Sequence, residues 1–203
     1  VRSGLDLTPD LAGLTATLVY LVVFGFVFVE SGLLIGFLLP GDSLLFAAGL
    51  VSVSAGSGVS LTVLVVGVLV AAVAGDSVGY AFGARLGRPW LERRAAGGRL
   101  DARHLRRAEA FYERFGWFAV VAARWIPWVR TFTPVLAGAA RMPYRRFLPA
   151  NVAGAVIWGP GLLVIGHLAA TEPTLRHTSY VVAGTFVATS LVLAVIGVAR
   201  RRR

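Results

Sequence analysis

The sequence contains no cysteine and no lysine, and little charge of any kind: 15% of its 203 residues are charged, against 57% hydrophobic. Without cysteine, disulfides and thiolate metal sites are excluded. The scarcity of charge argues against an ordinary soluble domain, whose apolar share is nearer to about 45–50%. Ten acidic residues face 20 basic ones, all arginine, for a formal net charge of +10. In a soluble chain that excess would point to nucleic acid. Here most arginines stand between or after apolar runs, the pattern of a topology signal that also attracts anionic headgroups. Neither a nucleic-acid partner nor a cofactor is expected.

What the chain has in quantity is apolar runs that approach or exceed the roughly 18–20 residues needed to cross a bilayer as helix. An all-α polytopic membrane protein follows, one membrane domain over residues 1–203. The first run, 11–30, ends on Glu30; it is too long, and too closely followed by others, for a cleaved signal peptide and is expected to be an anchor. The apolar stretch that follows is broken at Pro40-Gly41 into halves too short to cross alone. Irregular backbone at membrane depth survives only where protein or a cavity satisfies it, so the break suggests a re-entrant hairpin closing a first segment, 11–58. One kinked helix is the alternative.

Residues 59–86 form a second span. The segment 87–116 is polar and basic, with Leu105, Ala108, Tyr112 and Phe115 at helical spacing, and is expected to be a cytoplasmic amphipathic helix at the interface. Residues 117–140 are apolar again and expected to break at Pro127 and Pro134, a second re-entrant hairpin. Two further spans lie within 147–199, at 147–169 and 178–199. The architecture expected is thus about four spanning helices, two oppositely oriented re-entrant helical hairpins and an amphipathic interfacial helix. If each hairpin returns to the side it left, the arginine-rich loop, the cluster Arg141/Arg145/Arg146 and the final arginine run share one face with both termini. Positive charge marks that face as cytoplasmic. Two broken hairpins entering from opposite faces suit an inverted-repeat transporter with a midplane site.

Glu30, Asp42, Asp76, Arg124 and Arg130 lie in or beside apolar segments. A central Asp or Arg costs about 2.5–3.5 kcal/mol on insertion scales, so they are expected to face inward and pair. Two arginines against Glu30 and Asp42 balance, which leaves Asp76 over. Each has a plainer role open to it: Asp42 as a helix cap, Glu30 as an interfacial acid, Asp76 as a backbone orienter, the arginines as snorkelling side chains. Arg124 and Arg130 stand six apart around Pro127 in RWIPWVRTFTP. On one unbroken helix they would point about 120° apart. Across a proline turn their planar forks can converge on one phosphate, a clamp at a hairpin tip. Pro40, Gly41, Ser43, Asp76, Pro127 and Thr131 are expected to support it.

FLLPGDSLLFAAG after Glu30, then GDSVGYAFGARLG, then FYERFGWFAVVAARWIPWVRTFTPVLAGAARMPYRRFLPANVAGAVIWG resemble the DedA family of bacterial inner-membrane proteins, also called SNARE-associated or VTT-domain proteins, over about residues 25 to 170. Ala84, Trp128 and GHLAA with His167 depart from the family pattern. The resemblance implies that Glu30 and Asp42 are the family's membrane-embedded acids and Arg124 and Arg130 its two essential arginines. It also implies lipid translocation in the bacterial inner membrane driven by the proton motive force, of undecaprenyl phosphate or, alternatively, of phosphatidylethanolamine or another phospholipid, by a flippase or scramblase. On that expectation a lipid phosphate displaces a carboxylate from the arginines, and the carboxylate, desolvated and unpaired, takes a proton.

Three other classes compete. A lipid phosphatase would need a histidine nucleophile or a metal cluster, and His104, His167 and His177 have no spaced partner, so no enzyme is expected. A proton-coupled exporter of small cations or drugs would use Glu30 and Asp42, with the arginines as counterions. A scaffold without transport would leave the intramembrane charge without a reason. Glycine-rich spans allow close helix packing, which serves a homo-oligomer and intramolecular contacts equally.

Overall fold

A computed structural model describes residues 8–33, 41–89, 93 and 102–171. Among the described residues the chain is helical, without strands: α1 (Thr8–Gly32), α2 (Gly41–Val51), α3 (Leu61–Phe82), α4 (Ala102–Ala123), α5 (Pro127–Ala139) and α6 (Tyr144–Thr171). At its end α3 widens into a π-helical turn, Gly83–Gly87. Pro40, the span expected at 178–199, His177 and the terminal arginines lie outside the described residues.

Leu61–Gly87 and Tyr144–Thr171 are long and apolar enough to cross a membrane, and only 33% of either apolar stretch is buried inside the protein. A core helix of a soluble domain would be covered. Here Val63, Val66, Val70 and Phe82 on one, and Val156, Ile157, Ile165 and Leu168 on the other, are exposed.

Two corrections concern the second proline segment. α4 runs without a break through the boundary expected at 116/117, so the basic amphipathic segment, with His104, and the apolar arm after it are one helix. Pro134 does not end α5, which continues to Ala139. A proline removes one backbone donor, and a single such loss is tolerated inside a packed helix at membrane depth. The break is at Pro127. Just past α4 the amides make three-residue bonds, Arg124 N–H to the Val121 carbonyl at 3.3 Å and Ile126 N–H to the Ala123 carbonyl at 3.1 Å. Ile126 is extended, at φ −114° and ψ 108°, as a residue before proline prefers, and Pro127 opens α5 at a position where no amide donor is needed. α5 closes with Arg141 at φ 58° while Met142 N–H reaches back to the Ala137 carbonyl at 3.0 Å, a left-handed helix end.

The chain divides into two compact units. The first comprises Val1–Phe26, Leu39–Val68 and Gly159–Arg203; the second comprises Val27–Leu38 and Leu69–Trp158. In the first, Leu50 and Ala170 form a buried cluster with Phe46, Val53 and Ala169 packed on it. In the second, Val120, Ala137, Met142, Phe147 and Ala150 form the core, joining α4, α5 and α6, with Tyr80 of α3 against it.

Candidate functional site: two buried arginine–carboxylate pairs

Within the second unit the last turn of α1 and the middle of α3 meet backbone to backbone. A Cβ placed on Gly75 would lie 2.6 Å from the Phe28 carbonyl oxygen, and one on Gly32 would lie 3.0 Å from the Gly75 carbonyl oxygen. Gly32 stands two residues after Glu30, and Gly75 immediately precedes Asp76, so the crossing that needs glycine also delivers the two acids. Both carboxyl side chains are buried, Glu30 3% and Asp76 4% exposed.

The turn between α4 and α5 delivers the cations. Arg124 pairs with Asp76 through its Nη2, and the same nitrogen donates to Asn151 Oδ1 at 2.6 Å. Asn151 Nδ2 donates in turn to the Val73 carbonyl on α3 at 3.4 Å. The stem of Arg124 crosses α6 at Gly154, where a Cβ would meet its Cγ at 2.9 Å. Arg130, in the first turn of α5, pairs with Glu30. Both guanidinium groups lie over the buried ring of Trp158, Arg124 at 5.6 Å and Arg130 at 4.6 Å from its centroid. One tryptophan therefore stands beside both cations, each attracted to its π-face. Within this cluster two positive side chains stand against two negative ones. Breaking either pair would strand a buried ion at about 3–5 kcal/mol.

Residues 39–168 match the family model described as the VTT domain. The chain belongs to the VTT-domain, or DedA, family. Among relatives, an uncharacterized membrane protein of Mycobacterium tuberculosis (strain H37Rv) is 36% identical over 174 residues, 86% of this chain and 76% of its own. A second from that strain is 35% identical over 200 residues, 95% and 85% of the two chains. Protein DedA of Escherichia coli K12 is 33% identical over 186 residues, 91% and 84%. No solved structure matches. A VTT-domain chain with spanning-length helices whose outer faces are apolar, and with relatives named as membrane proteins, is itself a membrane protein.

The structure brings together Glu30, Asp76, Arg124 and Arg130 and sets Pro127 at the turn that makes this possible. Thr131, next to Arg130, is buried at 3% exposure. The expected pairing is corrected in one respect. Asp76, left over in the charge count, is the partner of Arg124, because the Gly32/Gly75 crossing carries it into the cluster. Asp42 stands in the first turn of α2, in the other unit, with Gly41 and Ser43 buried beside it in sequence. The Ser43 hydroxyl is buried and has no hydrogen-bond partner among the described residues. Pro40 lies outside them. His167 belongs to the first unit, where its Nδ1 lies 2.8 Å from Ser52 Oγ.

Asn151 and Trp158 are site residues that sequence reasoning missed. They stand seven apart on α6, two full turns, and so share a face. The signal was available: an asparagine in an apolar span needs a polar partner, and a tryptophan two turns away marks the same stripe.

Proposed function

We propose that this VTT-domain protein is a lipid carrier that moves a phosphate-bearing lipid between membrane leaflets, with Arg124 and Arg130 as the headgroup clamp and their carboxylates as the proton-coupling groups. The observation that carries the reading is the pair of buried ion pairs on one tryptophan. A closed set of charges at membrane depth has a large cost and little structural need, since well-packed apolar residues would hold the helices as well. It has a use if an anion can take the place of one carboxylate. The forked guanidinium groups suit phosphate, and the apolar surroundings leave a displaced carboxylate little choice but to take a proton. Lipid binding and proton uptake are thereby one event.

Glu30–Arg130 is the pair assigned to this exchange. Arg124 is anchored on α3 and α6 together through Asp76 and Asn151, and serves as the fixed half of the clamp. The lipid assigned is a polyprenyl phosphate, undecaprenyl phosphate in a bacterial inner membrane, in keeping with the family resemblance. α2 and α5 are assigned as inner arms of two opposed re-entrant hairpins, with the arginine-rich segments on the cytoplasmic face. On this reading the protein is a carrier and not an enzyme, and its carboxylates serve charge exchange.

The test is translocation of a fluorescent polyprenyl phosphate in vesicles holding the purified protein, read by protection from a membrane-impermeant quencher, with and without a pH gradient. Arg130→Lys keeps the charge and loses the fork. It is expected to slow translocation about ten-fold or more while leaving thermal unfolding nearly unchanged. Undiminished translocation by Arg130→Lys would remove the clamp, and a rate indifferent to the gradient would make the protein a scramblase.

A further inference from the structure

Two concavities on α4 lie outside the ion-pair cluster and share Phe115 and Phe118 in their walls. The first, about 370 Å³, lies between α4 and α5 and is apolar, walled by Phe111, Phe115, Phe118, Ala122, Ile126 and Val129. The second, about 340 Å³, is charged, formed by Glu113, Arg114, Trp117 and Arg146 around the same two rings. Two arginines against one glutamate leave the second positive, and Trp117 is 52% exposed at its edge, as a side chain at a membrane interface is.

We infer that these neighbouring concavities together are a second lipid site, which holds one anionic phospholipid with its phosphate on Arg114 and Arg146 and one hydrocarbon chain in the groove between α4 and α5. A flat apolar face would be solvated by any lipid. This face instead has a groove lined by Ala119, Ala122 and Ala123 among phenylalanines, and it shares the Phe115 and Phe118 walls with a positive pocket. Only an amphiphile with a negative head matches both ends. Arg114 is already set against the Phe115 ring at 5.2 Å from its centroid, which holds the cation beside the mouth of the groove. The site is distinct from the clamp, since none of its charged residues belongs to the two buried pairs.

The experiment uses the full chain in phosphatidylcholine nanodiscs doped with phosphatidylglycerol that carries a diazirine in one acyl chain, with adducts mapped to peptides. Adducts are expected on 111–123 and 126–133, falling about five-fold for each of Arg114→Gln and Arg146→Gln. Ala119→Trp, which fills the groove, is expected to remove them. Arg130→Lys, which keeps the charge beside Glu30, is expected to leave labelling within about two-fold, because the site does not use the clamp. Labelling by diazirine phosphatidylcholine to the same extent, or indifferent to the arginine substitutions, would overturn the site as ordinary bilayer contact. Loss of labelling in Arg130→Lys would overturn its independence. If Ala119→Trp fails to fold, the two surface arginine variants decide.

Discussion

The short helices α2 and α5, the first following a proline in sequence and the second opening on one, are built to one plan inside their separate units. In the first unit a Cβ on Gly49 of α2 would strike the Leu163 carbonyl oxygen and lie 3.1 Å from Gly166 Cα of α6, while one on Gly166 would strike the Phe46 carbonyl oxygen. In the second, a Cβ on Gly138 of α5 would strike the Tyr80 carbonyl oxygen and lie 2.8 Å from Ala84 N, while one on Gly83 would strike the Val135 carbonyl oxygen. Each short helix thus rests backbone to backbone on the C-terminal part of a long one. The polar chemistry differs. Beside the α2–α6 crossing, Ser52 donates to the Gly49 carbonyl at 2.6 Å and meets His167. α5 and the turn before it carry Arg124 and Arg130, with two carboxylates to match. The glycine crossing is the scaffold common to both units; the pair of ion pairs is what the second unit adds.

The largest effect should come from breaking the shared part. Gly49→Leu and Gly138→Leu each set a side chain where a backbone already lies, and backbone in a packed helix pair cannot yield as a side chain can. Both variants are expected to lose monodisperse protein on detergent extraction, whereas Gly161→Leu, at a glycine with nothing within 4 Å, is expected to extract normally. A tolerated Gly49→Leu beside a lethal Gly138→Leu would break the comparison.

The next effect sharpens the difference. Arg124→Leu leaves Asp76 buried without its cation and is expected to destabilise by about 3–5 kcal/mol, read by thermal or denaturant unfolding in detergent. Asp76→Leu does the same to Arg124. The double variant removes both ions and should recover most of the loss. Should the double variant be as unstable as the sum of the singles, the two side chains would be acting separately.

Much of the architecture was legible because it follows from period and length: the runs that became α3 and α6 are apolar over more than a bilayer's thickness, and Pro127 suits the first turn of a helix. That buried acids and arginines would pair was also legible, since unpaired charge at membrane depth is too costly to keep. Which acid pairs with which arginine was not. Asp76 was brought to Arg124 by a close approach of Gly32 and Gly75, and a glycine in an apolar run does not announce what it will rest against. Pro134 misled for a related reason: whether a proline breaks a helix depends on how the neighbouring structure satisfies the freed carbonyl, which is tertiary information. Asn151 was overlooked because its partner, Arg124, stands 27 residues earlier on another element.

Asn151 also gives the smallest and most discriminating test. Asn151→Leu removes a hydrogen bond to a charged group, about 1.5–3 kcal/mol, and leaves the Arg124–Asp76 pair in place, so unfolding should shift by several degrees and no more. Its effect on function should have the opposite sign. Arg124 Nη2 is now shared between Asp76 and Asn151. Removing the neutral acceptor frees a donor direction for an arriving phosphate, so binding of a polyprenyl phosphate, measured by titration in detergent, should be unchanged or tighter although the protein is less stable. A structural role for Asn151 predicts that stability and binding fall together. A direct contact between Asn151 and the lipid predicts that binding falls by the worth of a lost hydrogen bond, on the order of ten-fold, even where folding is intact.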